Sequence, residues 1–160
     1  SCKPKNSLDQ TMLILSKFSR REEVVNTGSA LSSAIKGAQQ ILKNRSLIFI
    51  LSDFRCGDYE DNLALLSQKH DVVAIRFTDA NDFELPNLGM VEVQNPENQQ
   101  KKIYPTFSSA FKRAWRENSN NQLERWKYMC KKNGVVPLVI STADNPALRL
   151  SRFFAVKERF

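Results

Sequence analysis

The sequence predicts an α/β protein, a three-layer α/β/α sandwich of the Rossmann-like type. Two observations lead to this class. Apolar runs that are typical of buried strands alternate with amphipathic helical segments, and this alternation is typical of a parallel sheet covered by helices. We expect parallel strands near 46–52, 71–77 and 135–141. A polar link between two shorter strand-like runs predicts an inserted β-hairpin near 89–104.

The first predicted strand follows two helical segments. In the second of them, "GSALSSAIKGAQQILK", Leu31, Ile35, Ala38 and Leu42 form one apolar stripe at helical spacing. The run "SLIFIL" comes next, and because it is continuously apolar we expect a strand that is buried on both faces. A helix from about 58 to 69 then leads to "DVVAIRF", the second strand.

The second half of the chain contains the hairpin and the longest predicted helix. "MVEVQNPENQQKKIYPT" supplies two strand-like runs around the link "NPENQQ". A helix from about 107 to 132 carries Trp126 and Cys130 on its buried side, and Gly134 follows as a C-cap. "VVPLVIST" is the third parallel strand, and Pro146 opens the final helix.

Length and composition limit the classes of function. A chain of 160 residues with 41% hydrophobic and 26% charged residues indicates a single globular domain, residues 1–160. No apolar run is long enough to cross a bilayer and no signal peptide opens the chain. We therefore expect a cytoplasmic chain without membrane insertion, although a longer parent protein could carry an anchor. The three cysteines lack regular spacing, which favours a reducing compartment. His70, the only histidine, follows a helix and is interpreted as a helix-end residue rather than a catalytic one.

The net charge of +7 raises the hypothesis of nucleic-acid binding. The densest basic group lies on the predicted helix 107–132 and includes Lys112, Arg113 and Arg116. Acidic residues lie among these cations, and no aromatic β platform accompanies them. We therefore interpret the group as a solvated helix face that forms a candidate binding surface. Nucleic-acid binding through helix 107–132 stays a lesser alternative.

The first strand is unusual for this fold class. Only three parallel strands are predicted, whereas doubly wound sheets usually have five or six. The run "LIFILS" is also too hydrophobic for an exposed edge. We expect this strand to be covered, either by self-association through strand 46–52 or by a rearranged N-terminal segment. We further expect the chain to be the C-terminal portion of a larger domain.

Four stretches of the sequence together resemble one bacterial family. They are "GSALSSAI", "RSLIFILSDF", "HDVVAIRFTDANDFELPNLGMVEV" and "VVPLVISTADNPALRLSRFF". In this order they resemble the C-terminal half of the family called domain of unknown function fifty-eight. Its members have a von Willebrand factor A-like fold and are associated with MoxR-type AAA+ ATPases. The resemblance implies that this chain is a partial von Willebrand factor A-like domain.

The resemblance also implies a remnant of a metal-ion-dependent adhesion site. In that fold, three loops hold a divalent cation above the carboxyl edge of the sheet. By position, Ser29 corresponds to a threonine ligand of one loop and Asp53 to an aspartate ligand of another. The Asp-x-Ser-x-Ser loop is absent from the sequence, so we expect an incomplete site without a cofactor in this chain, and Mg²⁺ or Mn²⁺ only in an intact parent.

Asp53 also has a purely structural interpretation. Magnesium takes about six oxygen ligands, and one carboxylate with one hydroxyl leaves most of these positions to water. An aspartate that follows a strand often accepts hydrogen bonds from the backbone N–H groups of the next turn. For this chain we favour the structural interpretation of Asp53.

The acidic loop "TDANDFE" supplies a second cluster of oxygen atoms, in Asp79, Asp82 and Glu84. It follows the second strand, at the edge of the sheet where α/β proteins usually bind their ligands. Its spacing does not match an EF-hand, which needs a longer loop and a glycine. We take these residues as part of a candidate binding surface without an assigned role.

The leading hypothesis is a non-enzymatic protein-binding module. The resemblance implies an adaptor that works with a MoxR-type AAA+ ATPase or with its client protein. The alternative is a metal-dependent hydrolase or phosphoryl-transfer domain that uses Asp53. Arg55 stands where such an enzyme would carry a second aspartate, and the sequence contains no glycine-rich phosphate loop or Gly-x-Ser-x-Gly elbow. We therefore expect no enzymatic activity.

Overall fold

A computed structural model describes residues 8–19, 30–94 and 100–157 of the chain. In chain order, its elements are the helices Leu8–Ser19 (α1) and Ala30–Ile41 (α2), the strand Leu47–Ser52 (β1), the helix Glu60–Lys69 (α3), the strand Asp71–Thr78 (β2), a short 3-10 helix Ala80–Asp82, the strands Met90–Gln94 (β3) and Lys101–Pro105 (β4), the helix Ser109–Lys132 (α4), the strand Val136–Ser141 (β5) and the helix Pro146–Lys157 (α5). The three predicted parallel strands, the hairpin and the long helix are all confirmed within a few residues.

The main sheet of the described residues contains β1, β2 and β5, with β2 in the middle. Both pairings are parallel, and Phe49 of β1 lies opposite Val73 of β2, which in turn lies opposite Val136 of β5. The hairpin is a separate antiparallel pair of β3 and β4. The carboxyl ends of the three parallel strands therefore meet at one edge, as the sequence predicts.

Helices cover both faces of the main sheet. Side chains alternate along β2, so successive residues pack against opposite helix layers. Val72 and Ala74 point to one face, in a buried cluster with residues of α2, α3 and α4 such as Leu63 and Trp126. Val73 and its neighbours on the other face pack against α5. The predicted three-layer α/β/α arrangement is confirmed.

The prediction that β1 is buried on both faces is wrong. Among the described strands β1 pairs only with β2, so it lies at an edge of the sheet. Ile48 and Ile50 pack against the core under α2, α3 and α4. On the other face Leu47, Phe49 and Leu51 are 50%, 40% and 60% exposed. Apolar composition indicates burial only where a neighbouring element covers the strand, and α5 covers this face only in part.

The hairpin packs against the first turns of α4 through aromatic rings. The ring centroid of Tyr104 in β4 lies 5.6 Å from that of Phe111 and 5.8 Å from that of Trp115. Ser108 caps the helix by accepting a hydrogen bond from the backbone N–H of Phe111 at 3.3 Å. Gly134, with a φ of 71°, provides the predicted left-handed position after the helix.

In the described part of the chain, no helix combines the length and the apolar character that crossing a membrane requires.

Candidate functional site

Asp53 lies directly after β1, at the carboxyl edge of the sheet. Its Oδ1 accepts a hydrogen bond from the backbone N–H of Arg55 at 3.2 Å. The Oγ of Ser52 accepts in the same way from the N–H of Phe54 at 3.0 Å. These two hydrogen bonds stabilise the turn after β1, as the structural interpretation of Asp53 predicts. Ser29 lies outside the described residues, so the implied metal pair of Ser29 and Asp53 stays a prediction.

The turn after β1 places one large ring in the core. The φ of Phe54 is 52°, a left-handed conformation that costs a bulky residue free energy. Its buried ring lies 5.5 Å from that of Tyr59 and 5.1 Å from that of Trp126, measured between centroids. Because Ser52 and Asp53 hold the turn, the ring of Phe54 reaches α4 in spite of the strained backbone.

The carboxylates of the acidic loop bind groups of the protein itself. Asp79 and Asp82 form a capping box around the short helix 80–82, in which Asp82 Oδ2 accepts from the backbone N–H of Asp79 at 2.8 Å. Asp79 Oδ2 accepts a hydrogen bond from the Thr142 hydroxyl at 2.6 Å, and this bond is the main reason why the pKa of Asp79 is lowered. The loop thereby connects the ends of β2 and β5.

The predicted binding surface on α4 is partly paired with the same loop. Arg116 forms an ion pair with Glu84 at 3.1 Å, and Arg55 forms one with Asp82. Arg113 is exposed and Lys112 is half-buried. Glu84 and Arg116, which the sequence analysis grouped in one candidate surface, therefore contact each other across the loop and the helix.

Within residues 8–19, 30–94 and 100–157, no group of three or more His, Cys, Asp or Glu side chains is arranged to hold a metal ion. Asp79, Asp82 and Glu84 accordingly do not form a metal centre there. His70 is buried at the amino end of β2, away from these residues, and its backbone N–H closes α3 by donating to the carbonyl of Leu66 at 3.1 Å.

Sequence analysis missed a pocket beside the carboxyl ends of β1 and β2. It encloses about 700 Å³ and is lined by the turn after β1, the end of β2, Tyr104 of β4 and one face of α4. Arg76 of β2 is buried at its base. The available signal was this charged residue inside the otherwise apolar run "VVAIRF", where a side chain facing a helix layer is normally hydrophobic.

Burial determines the protonation of the groups around this pocket. It lowers the pKa of Arg76, and the positive charge of Arg55 lowers it further, but a guanidinium stays protonated at neutral pH. Burial raises the pKa of Tyr59, and it raises that of the neighbouring Cys130 to about 12. Neither Tyr59 nor Cys130 is therefore ionised at neutral pH, and neither is an activated nucleophile.

These features define a three-layer α/β protein with a ligand-sized pocket at the carboxyl edge of a parallel sheet. A family model described as "Protein of unknown function DUF58" matches residues 4–125. The chain therefore belongs to this family, in agreement with the resemblance of the first three sequence stretches; the fourth, residues 135–154, lies outside the matched range. Comparisons with curated proteins and with solved structures found no match.

Proposed function

We propose that this chain is a non-enzymatic protein-binding module of the von Willebrand factor A-like type, and that it serves as an adaptor for a MoxR-type AAA+ ATPase or its client. The observation that carries the proposal is the exposed apolar edge of the sheet at β1. Family membership and the resemblance described above support the choice of partner.

The exposed edge of β1 has the two properties of a strand-addition site. On the side away from β2, its backbone groups pair with no other strand among the described residues. Leu47, Phe49 and Leu51 also present apolar side chains at alternate positions on one face. Backbone pairing along such an edge supplies affinity, and pockets for alternate side chains supply specificity. Exposed apolar patches of this kind typically mark protein-binding surfaces.

The edge also offers a mode of binding that needs no cation. In a complete adhesion site, an acidic group of the partner binds the cation directly. Backbone pairing along β1 requires no such ion, so we assign the binding function to β1. Where no partner is present, we expect the same edge to pair with that of a second copy.

A charge placed on the edge tests the proposal. In Leu51→Lys, an ammonium group would be desolvated within the contact, so we expect binding to weaken by at least about tenfold. Leu88→Lys is the matched control, because Leu88 is 67% exposed and lies in the loop before β3, outside the main sheet. Analytical ultracentrifugation of the chain, alone and with the purified MoxR-type ATPase of the same genome, measures both self-association and complex formation.

We expect the wild-type chain and Leu88→Lys to self-associate and to bind the ATPase, and Leu51→Lys to do neither. An ATPase that fails to bind the wild-type chain at micromolar concentrations would refute the adaptor role. Equal binding by Leu51→Lys and Leu88→Lys would refute the use of the β1 edge.

A further inference from the structure

The pocket beside β1 and β2 has the size of a small-molecule site. Its volume of about 700 Å³ falls in the range that is usual for ligand pockets, about 300–1,000 Å³. Side chains from the turn after β1, from β2, from β4 and from α4 converge on it, and those that matter for binding are Arg55, Arg76, Tyr104, Trp115, Trp126 and Arg125.

The base of the pocket contains a buried cation that has no direct ion pair among the described residues, and the carboxylates of Asp53 and Asp82 act on it only at longer range. Arg76 is only 8% exposed, because the alternation along β2 places it on the same face as Val72 and Ala74, beneath α4. Among the described residues it forms no ion pair, and its Nε has no hydrogen-bond acceptor. Trp126 stacks on the guanidinium at 5.6 Å from the ring centroid, but an aromatic face supplies no oxygen to the N–H groups.

Two further donors around the pocket also lack acceptors. The indole Nε1 atoms of Trp115 and Trp126 are buried, and neither has a partner in the part of the chain that the structure describes. An indole N–H and a guanidinium can only donate hydrogen bonds. Buried donors are normally paired, so these three groups mark a polar region that the protein itself leaves incompletely satisfied. The three nitrogen atoms are covered by protein atoms, so a ligand in the pocket would reach Arg76 through its terminal nitrogen atoms.

The remaining charges of the lining agree with an anionic ligand. Arg55 is paired with Asp82, whereas Arg125 on α4 has no ion pair among the described residues. Glu60 is the carboxylate of the lining. With Arg55 neutralised by its partner, Arg76 and Arg125 outnumber Glu60 by two charges to one. The planar fork of an arginine matches the oxygens of a carboxylate or phosphate group.

We propose that this pocket binds a small molecule through a carboxylate or phosphate group, which Arg76 contacts at the base and Arg125 at the rim. The aromatic rings of Tyr104 and Trp115 form a wall for the rest of the ligand. This site is independent of the β1 edge, because α2, α3 and α4 lie on the face of the sheet opposite to Leu47, Phe49 and Leu51.

The tryptophans report directly on the pocket, because the chain contains only two and both line it. Sodium phosphate and sodium succinate are titrated separately into the chain while tryptophan emission is followed, with sodium chloride at matched ionic strength as the reference. We expect a saturable change in emission with at least one of the two anions and none with chloride. The anion that saturates identifies the preferred group.

Three variants locate the binding, each with the same loss of one charge. We expect Arg76→Gln to weaken binding by at least tenfold and Arg125→Gln by severalfold. Arg152→Gln, on exposed α5 across the sheet, is the control and should bind as the wild type does. If circular dichroism shows that Arg76→Gln does not fold, the comparison of Arg125→Gln with Arg152→Gln decides. No saturation with either anion, or equal weakening in Arg125→Gln and Arg152→Gln, would overturn the proposal.

Discussion

Replacement of Phe54 by alanine and by glycine separates the packing of its ring from the strain of its backbone. Both changes delete the same buried ring, which contacts Tyr59 and Trp126. Deletion of a buried phenylalanine ring typically costs about 3–5 kcal/mol of unfolding free energy. Only the glycine relieves the left-handed conformation at a φ of 52°.

The difference in unfolding free energy between Phe54→Gly and Phe54→Ala follows from two opposing effects. A left-handed conformation costs a residue with a Cβ about 1–2 kcal/mol, and Phe54→Ala retains this cost. Glycine loses roughly 0.5–1 kcal/mol more through the greater freedom of its unfolded chain. We therefore expect Phe54→Gly to be more stable than Phe54→Ala by roughly 0.5–1 kcal/mol, although both are less stable than the wild type.

Urea unfolding followed by circular dichroism measures this difference. The two variants lack the same side chain, so their unfolding free energies should fall equally steeply with urea concentration. Their unfolding midpoints are then directly comparable. An alanine variant that equals or exceeds the glycine variant in stability would refute the left-handed turn after β1.

Two further predictions concern titratable groups. The pKa of Asp79 is lowered mainly by the hydroxyl of Thr142, and that of Asp144 mainly by the backbone N–H of Ser141. Because the folded-state values are lowered, these bonds stabilise the fold above the ordinary pKa of 3.8, and the stabilisation is lost as the pH falls through the lowered values. Thr142→Val should raise the pKa of Asp79 in a carboxyl NMR titration and leave that of Asp144 in place; equal shifts at both would contradict the assignment. Burial raises the pKa of Cys130 to about 12, so its thiol should resist iodoacetamide at pH 8 until urea unfolds the chain. Mass spectrometry that finds Cys130 alkylated in the native protein would disprove this.

The order of the elements could be predicted because its signals are local. The stripe of α2, the apolar runs of the strands and the C-cap at Gly134 each depend on neighbours within a few positions. The exposure of β1 could not be predicted in this way. It depends on which element lies beside Leu47 and Leu51, and the residues of β1 do not encode that.

The candidate site was harder to predict for the same reason. The favoured interpretation of Asp53 as a turn-stabilising residue agrees with the hydrogen bond that it accepts from Arg55, since such turns involve adjacent residues. The oxygens of Asp79 were identified, but their partner Thr142 comes from a distant segment. The pocket was missed because Arg76 gains its significance only from Trp126 on α4, far along the chain.

The central position of β2 has a consequence for folding. β1 and β2 are joined through α3 alone, so this unit closes a short loop and its contacts can form early. β5 pairs with the other side of β2 only after the hairpin and α4, the longest described helix, have been placed in between. Closure of this long loop is entropically more costly, so docking of β5 with α4 is the step that should limit the folding rate. The pocket under α4 is therefore completed last, because β1 and β2 pair early and α4 docks late.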